Sequence, residues 1–219
     1  MNRTRAAIAL AISLSGFTQS IRGSDFRVDL FTKTGMKEIV LTPGAVAVEI
    51  CEGEARAPCL EARPGKTAQC VAESAILRCS AGNTSRAFKR TSAHADSVFR
   101  LDAVARDSGG NTTKRGVTVR AAEIRAAHGS LRAVVVIDPE TYVSGVLAGE
   151  AATFKSLAAM EAMAVVARTW ALASRGRHRP DGYDFCSLTH CQFFRPPLAQ
   201  DANVALADAV NRTAGLVLK

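Results

Sequence analysis

The sequence of 219 residues has few aromatic side chains and no dense block of basic residues. Phe, Trp and Tyr make up 5% of it, and its 28 Lys and Arg residues, against 20 Asp and Glu, are scattered along the chain. Nucleic-acid-binding proteins usually concentrate their basic residues on one face and combine them with aromatic residues. We therefore expect no nucleic-acid partner, although the net charge of +8 suits an anionic polymer.

Long apolar runs are also absent, except at the N-terminus. Arg3 and Arg5 precede a mostly apolar run at residues 6–17, and Thr18-Gln-Ser20 gives it a small-x-small end. The run is short for a bilayer span of about 20 residues, so the pattern predicts a secretory signal peptide over residues 1–20. An uncleaved signal acting as a membrane anchor is the alternative. We expect an exported protein of the cell envelope, the periplasm or the extracellular space.

Cysteine is scarce, with six residues, but the number is even. An even number in an exported protein favours disulfides. Four lie within 29 residues of the N-terminal half, and the three connectivities that four cysteines allow stay open for Cys51, Cys59, Cys70 and Cys79. A zinc site is disfavoured for this quartet, because no C-x-x-C pair and no nearby His accompanies it.

Apolar residues make up 47% of the chain, which predicts a globular core. The first half contains short alternating segments separated by turn residues such as Pro43-Gly44, and these predict a β-rich accessory region over residues 21–125. Residues 126–219 are predicted to form a mixed α/β domain of catalytic type, so the expected fold class is α+β. In the first region, strands are predicted at residues 26–31, 38–42, 45–50, 74–79, 97–104 and 116–120, with a turn at 107–111.

The second half begins with an apolar, β-branched run at residues 131–137, which predicts a buried strand. Asp138-Pro139 is typical of a helix start, because Asp caps free backbone N–H groups and Pro fits the first helical position. We predict a helix over residues 139–148, with Glu150 just beyond its end. Further helices are predicted at residues 157–174 and 198–212, and the beginning of a strand at 215–219.

Glu150 is the acidic residue with the most unusual surroundings, because it lies between two apolar stretches. Burial of a carboxyl group in such surroundings favours its protonated form, as general-acid chemistry requires. Taken alone, a Glu at a helix end is ordinarily a solvated surface residue, since Glu is almost never buried without a partner. Its role therefore depends on its sequence context.

A loop over residues 175–197 contains candidate metal ligands. Zinc accepts Cys and His in tetrahedral sites, so a zinc site is predicted from His178, Cys186, His190 and Cys191. A Cys186–Cys191 disulfide is the main alternative in an oxidising compartment, and free thiols are a further one. His190 is alternatively a catalytic helper or a surface residue.

Three blocks together resemble the stage II sporulation protein D family, also called the amidase-enhancer family. They stand in the family's order and cover about 60 residues, with Arg168 eighteen residues after Glu150. The blocks are Tyr142-Val-Ser-Gly-Val-Leu-Ala-Gly-Glu150, Ala162-Met-Ala-Val-Val-Ala-Arg-Thr-Trp-Ala-Leu172 and Gly182-Tyr-Asp-Phe-Cys-Ser-Leu-Thr-His-Cys-Gln-Phe-Phe194.

The resemblance implies a lytic transglycosylase that cleaves peptide-free glycan strands between N-acetylmuramic acid and N-acetylglucosamine. The family's catalytic Glu matches Glu150, which would act as general acid and then as base. One carboxyl group suffices, because the sugar's own C6 hydroxyl replaces the water that ordinary glycosidases activate. A non-catalytic enhancer of an N-acetylmuramoyl-L-alanine amidase is the alternative. Some members resemble this chain's loop and bind zinc there.

The resemblance also implies substrate contacts for three further residues. Arg168 would contact substrate or position Glu150, with an ion pair to Glu161 as the structural alternative. Tyr183 and Gln192 would contact sugar, with packing of the loop as their alternative.

The sequence departs from the family at several positions. The usual Met-Pro after the Glu is Ala151-Ala152, two common residues of the long helix are replaced by Glu161 and Met163, and a Tyr is replaced by Trp170. The family normally continues past the position of Lys219, so the domain at residues 126–219 is expected to be partial.

Overall fold

The computed structural model describes residues 25–30, 35–53, 59–106, 112–196 and 204–219. The predicted signal peptide, the predicted turn at 107–111 and the start of the third predicted helix lie outside these residues. The described residues form an α+β fold, which confirms the predicted class. Among them, no helix combines the length and the apolar character that a bilayer span needs.

Eleven strands and three α-helices are present in the described residues. The strands are β1 (Phe26–Leu30), β2 (Glu38–Thr42), β3 (Val48–Glu52), β4 (Leu60–Ala62), β5 (Ala68–Glu73), β6 (Ile76–Ala81), β7 (Thr84–Phe88), β8 (Arg90–Arg106), β9 (Thr112–Ala127), β10 (Ser130–Ile137) and β11 (Phe185–Cys186). The helices are α1 (Pro139–Glu150), α2 (Leu157–Ala173) and α3 (Val204–Arg212), with a 3₁₀ turn at Arg179–Asp181.

One sheet runs through both predicted regions. Its main order is β11-β1-β10-β9-β8-β2-β5-β6-β7, and β3 branches from β8 and carries β4. Strand β1 lies between β10, which precedes α1, and β11, which follows α2. It is antiparallel to β10, with Phe26 opposite Ile137, and parallel to β11, with Val28 opposite Phe185. The sheet is therefore continuous across the predicted boundary near residue 125.

The long strands β8 and β9 form the centre of the sheet. Their register shifts between His94 and Phe99, where β8 changes its outer neighbour. Before the shift β8 pairs with β3, and after it with β2. A break of this kind bends a strand, so one strand serves two branches of the sheet.

Two disulfides stabilise the β-rich region. They join Cys51 to Cys59 and Cys70 to Cys79, which is one of the three connectivities left open by the sequence. The second disulfide links directly opposed residues of β5 and β6. Both of its cysteines are fully buried in the core.

Helix α1 packs on the sheet in the second half. It begins as predicted, with the backbone N–H of Thr141 donating to the Asp138 carboxylate at 2.9 Å. It ends at Glu150, two residues beyond the predicted end, so this carboxylate lies in the last turn of the helix and not past it. The side chain of Tyr142 is fully buried and meets the Phe26 ring edge-on at 5.4 Å.

Several short elements differ from the sequence-based prediction. Strands β4, β5, β7 and β11 were not predicted. Strands β4 and β11 have only three and two residues, and β7 is largely polar. The predicted strand at residues 215–219 does not form. There the backbone N–H of Leu218 donates to Thr169 Oγ1 on α2 at 2.9 Å, and no strand pairing is present.

Removal of the buried disulfide should destabilise the protein. We expect the double variant Cys70→Ala, Cys79→Ala to lose about 2–3 kcal/mol of unfolding free energy, because the loop it closes is no longer restrained in the unfolded chain. Urea denaturation without reductant measures the change. The Cys51–Cys59 disulfide closes a loop of nearly equal length, so the double variant Cys51→Ala, Cys59→Ala should lose a similar amount. A loss below about 1 kcal/mol in both would contradict the entropic argument.

Candidate functional site

Residues 192–196, which we call the apposed segment, lie alongside α1. The backbone N–H of Arg195 donates to the carbonyl oxygen of Gly145 at 2.9 Å, and that of Phe193 donates to Glu150 Oε1 at 2.8 Å. The segment thus advances two residues, roughly 6.7 Å if it is extended, while the helix advances five residues, roughly 7.5 Å. The apposed segment is therefore nearly fully extended and runs antiparallel to the helix.

Two glycines of α1 make this close approach possible. A Cβ on Gly145 would lie 2.1 Å from Cε2 of Phe194, and a Cβ on Gly149 would lie 1.9 Å from the carbonyl oxygen of Phe193. Residues four apart share one face of a helix, so the two glycines form a single groove. Their spacing is visible in the sequence, but the helix was predicted to end at residue 148, which left Gly149 outside it, so the groove was not predicted.

Glu150 is exposed at the end of this groove. Its Oε1 accepts the Phe193 N–H, and Oε2 has no hydrogen bond or ion pair with any described residue. The carboxylate is thus held at one oxygen and available at the other. A general acid would benefit from burial of its carboxyl group, but the described residues leave Glu150 exposed.

The loop that follows α2 is fixed to β1 by backbone hydrogen bonds. The N–H of Asp184 donates to the Arg27 carbonyl at 2.8 Å, and the N–H of Arg27 returns a bond to Asp184 Oδ2 at 2.8 Å. The N–H of Ser187 donates to the Asp29 carbonyl at 3.0 Å. The strand β1 therefore sets the position of β11, where the first cysteine of the loop lies.

The four predicted metal ligands come together in this loop. One donor atom from each of His178, Cys186, His190 and Cys191 lies within 4.8 Å of all the others. The two Sγ atoms are 3.3 Å apart, His178 Nε2 is 3.3 Å from Cys191 Sγ, and His190 Nδ1 is 3.8 Å from each Sγ. Neither cysteine forms a disulfide in this structure.

Comparison with known proteins finds a family match in the second half of the chain. Residues 127–219 match the family model SpoIID, described as Stage II sporulation protein. Residues 127–219 are thus similar to a SpoIID domain. This confirms the resemblance found in the sequence, and SpoIID proteins are sporulation-related proteins associated with the cell envelope. No curated protein and no solved structure matches the chain.

The spacing of the four donor atoms in the loop fits a tetrahedral metal site. With Zn–S bonds of about 2.3 Å and Zn–N bonds of about 2.0–2.1 Å, ligand atoms of a tetrahedron lie about 3.3–3.8 Å apart. The Sγ–N contacts of 3.3 and 3.8 Å lie in that range, and the Sγ–Sγ contact of 3.3 Å is shorter than the roughly 3.8 Å expected of two zinc-bound sulfurs. The second ring nitrogen of His178 faces Asp181 Oδ2 at 3.4 Å, a carboxylate contact that typically orients a ligating His. Asp181 was not among the site residues predicted from the sequence.

The cysteine thiols are held in a partly buried setting. Burial raises the pKa of Cys191 to about 11, and the hydrogen bond from the Cys186 backbone N–H partly opposes this shift. A thiol with such a pKa stays protonated and unreactive at neutral pH unless a cation displaces its proton.

The two predicted sugar-contacting residues of the loop are largely buried. Tyr183 is 8% exposed, and its ring lies between the imidazole of His178, at 4.9 Å, and the guanidinium of Arg132, at 5.3 Å. Gln192 is also 8% exposed, and its Oε1 has no hydrogen-bond partner among the described residues. Substrate contact by either residue remains a prediction.

Arg168 makes contacts only within the domain. It is 2% exposed, its Nε and Nη2 donate to the two carboxylate oxygens of Glu140 at 3.0 and 2.6 Å, and its Nη1 donates to the carbonyl of Leu216 at 2.9 Å. The alternative pair with Glu161 does not form, because that carboxylate binds Arg212 at 2.6 Å. Arg168 thus ties α2 to the first turn of α1 and to the end of the chain.

An aromatic cluster lies between the loop and Glu150. Tyr142 stacks on Phe194 at 5.6 Å and packs against Phe185 at 5.0 Å. Burial raises the pKa of Tyr142. Its hydroxyl has no partner among the described residues. The cluster therefore joins the two parts of the site through packing.

The close packing at the glycine groove predicts that a Gly→Ala substitution there lowers the unfolding free energy instead of raising it. Gly→Ala within a helix normally stabilises by about 1 kcal/mol, but we expect Gly145→Ala to destabilise by about 1–3 kcal/mol, because the new methyl group overlaps the Phe194 ring. Urea denaturation measures the change. Ser144→Ala, at the preceding helix position, should stay within about 0.5 kcal/mol of wild type. A Gly145→Ala protein more stable than wild type would show that the apposed segment does not lie against the helix.

Proposed function

We propose that the protein is an exported lytic transglycosylase that cleaves peptide-free glycan strands of peptidoglycan, with Glu150 as its general acid and base. The observation that supports this most strongly is the hydrogen bond from the Phe193 N–H to Glu150 Oε1. It restrains the rotation of the carboxyl group about its terminal torsion and leaves Oε2 available to substrate. The rigid helix end and the apposed segment together provide the positioning that proton transfer requires.

The chemistry needs one proton, which leaves Glu150 and later returns to it. The carboxylic acid protonates the oxygen between C1 of N-acetylmuramic acid and C4 of N-acetylglucosamine, and the C1–O bond breaks. The C6 hydroxyl oxygen of the muramic acid then forms a bond to C1, and its proton passes to the Glu150 carboxylate. The products are a 1,6-anhydro-muramic end and a free 4-hydroxyl, so neither water nor a second carboxylate is consumed.

The exposure of Glu150 is compatible with this role if the substrate covers it. A glycan strand lying over the end of α1 would exclude water from the carboxyl group and favour its protonated form. Two exposed aromatic side chains belong to the segments next to Glu150. Phe193 of the apposed segment is 38% exposed, and Phe154, four residues after Glu150, is 37% exposed. Both offer apolar surface to a sugar ring.

Zinc is part of the proposal as a structural ion. His178, Cys186, His190 and Cys191 would hold it, and when bound it would supply a cross-link between the 3₁₀ turn and the loop after β11. The loop leads directly into Gln192 and Phe193, so its order determines where the N–H that holds Glu150 lies. In this proposal Arg168 has a positioning role, because all its described contacts are internal.

The catalytic assignment is tested by digestion of purified peptide-free glycan strands. Wild type should release 1,6-anhydro-muramic products, and Glu150→Gln should lower the rate by at least about a hundredfold, because the amide cannot transfer the proton. Glu61→Gln removes an exposed carboxylate of the β-rich region and should leave the rate unchanged. Equal product release by Glu150→Gln and wild type would refute the assignment.

A non-catalytic enhancer of an N-acetylmuramoyl-L-alanine amidase is the second candidate. The exposure of Glu150 favours it, since an exposed carboxyl group is a poor general acid until something covers it. The two candidates differ in one experiment. An enhancer would bind the glycan strands, release no anhydro products, and raise the turnover of an added amidase with Glu150→Gln as well as with wild type.

The zinc proposal predicts a metal content and a thiol count. Purified protein should contain about one zinc ion per chain, and the double variant Cys186→Ser, Cys191→Ser should contain none. After denaturation with a chelator, wild type should expose the two free thiols. His94→Ala, in the β-rich region, should keep the metal. Absence of both zinc and reactive thiols would favour the Cys186–Cys191 disulfide instead.

A further inference from the structure

Side chains of the apposed segment alternate between the domain interior and its surface. Phe194 is 2% exposed and Gln192 8% exposed, and Pro196 is also buried. Between them, Phe193 is 38% exposed and Arg195 is partly exposed. Consecutive residues of an extended chain point to opposite sides, so the inward residues anchor the segment and the other two share its outward face.

The outward face lies beside the Glu150 carboxyl group. Phe193 carries the N–H that binds Glu150, and residues two apart on one face of an extended chain have their Cβ atoms about 7 Å apart. Arg195 therefore lies about one sugar ring away from Phe193. An aromatic ring, a cation and the proposed acid are arranged along one edge of the domain.

The guanidinium of Arg195 has no hydrogen bond or ion pair within the part of the chain that the structure describes. The buried or half-buried arginines nearby differ in this respect: Arg132 binds Asp29 at 2.6 Å and Arg168 binds Glu140 at 2.6 Å. Arginine presents a planar fork that matches a carboxylate. Among the described residues the Arg195 guanidinium is therefore unpaired, and its N–H groups could donate to an anionic ligand.

We infer that the outward face of the apposed segment is a subsite for muramic acid, in which Phe193 stacks on the sugar ring and Arg195 pairs with its lactyl carboxylate. The inference rests on the proposed function and adds the residues that would recognise the substrate. A pyranose has apolar C–H faces that pack on an aromatic ring. Muramic acid carries a free lactyl carboxylate once its stem peptide is removed, whereas N-acetylglucosamine carries none. The pair Phe193 and Arg195 would therefore select peptide-free strands over neutral polysaccharides.

Binding to the catalytically silent Glu150→Gln protein tests the subsite without turnover. The two probes are peptide-free glycan strands and the same strands with their lactyl carboxyl groups reduced to alcohols. In the Glu150→Gln background, Arg195→Gln should raise Kd for the charged strands about tenfold, because a charge-assisted contact is lost, and leave Kd for the reduced strands unchanged. Phe193→Leu should raise both values about fivefold, since stacking does not depend on the carboxylate.

Two further variants keep the test independent of folding. Arg63→Gln removes one positive charge from an arginine side chain that is 77% exposed in the β-rich region, and it should change neither Kd. Phe193→Tyr keeps an aromatic ring and should bind both probes as Glu150→Gln alone does. Equal Kd values for Arg195→Gln and its parent on the charged strands would overturn the subsite and leave the proposed function standing. Failure of the Glu150→Gln parent to bind either probe would overturn the proposed function together with the subsite.

Discussion

Contact between the backbone of the apposed segment and helix α1 is the constraint on which the candidate site depends. It requires that residues 145 and 149 have no side chain, because a Cβ at either position would overlap Phe194 or the Phe193 backbone. With that space free, the Phe193 N–H reaches the carboxylate at the end of the helix. The same contact turns Phe193 and Arg195 outward and buries the residues between and beside them. One packing interaction thus determines which groups a ligand would meet.

The position of the loop depends in turn on β1, which comes from the opposite end of the chain. This strand pairs with β10 on one side and with β11 on the other, so the loop with the four candidate ligands is fixed to the sheet through backbone hydrogen bonds. The buried carboxylate of Asp29 adds a bidentate pair with Arg132, whose pKa it raises through that hydrogen bond. The β-rich region therefore takes part in forming the candidate site of the second half, and its disulfides stabilise the same continuous sheet.

The sequence was sufficient where structure is local and insufficient where it depends on distant pairing. Asp138-Pro139 and the buried run before it predicted the start of α1 and strand β10, because capping and hydrophobicity act over a few residues. Gly149 was misleading, since a glycine signals a helix end locally but here admits a distant backbone. For Arg168 the sequence suggested a contact with substrate or Glu150, or an ion pair with Glu161 on its own helix, whereas its buried guanidinium binds Glu140 of another helix. The four loop ligands were identified by residue type and spacing, but their relation to β1 was not visible in the sequence.

The link between the loop and Glu150 passes through packed rings and not through a chain of hydrogen bonds. Phe194 comes three residues after Cys191 and stacks on Tyr142. Tyr142 in turn contacts Phe185, the residue before Cys186. The Tyr142 hydroxyl makes no hydrogen bond with the described residues, so no hydrogen bond of this group connects the two parts within them. A change in the loop would therefore reach Glu150 as a displacement of Phe194 and of the neighbouring Phe193 N–H. In the proposed function, an ion bound by these four ligands would therefore fix the position of Glu150 and take no direct part in the chemistry.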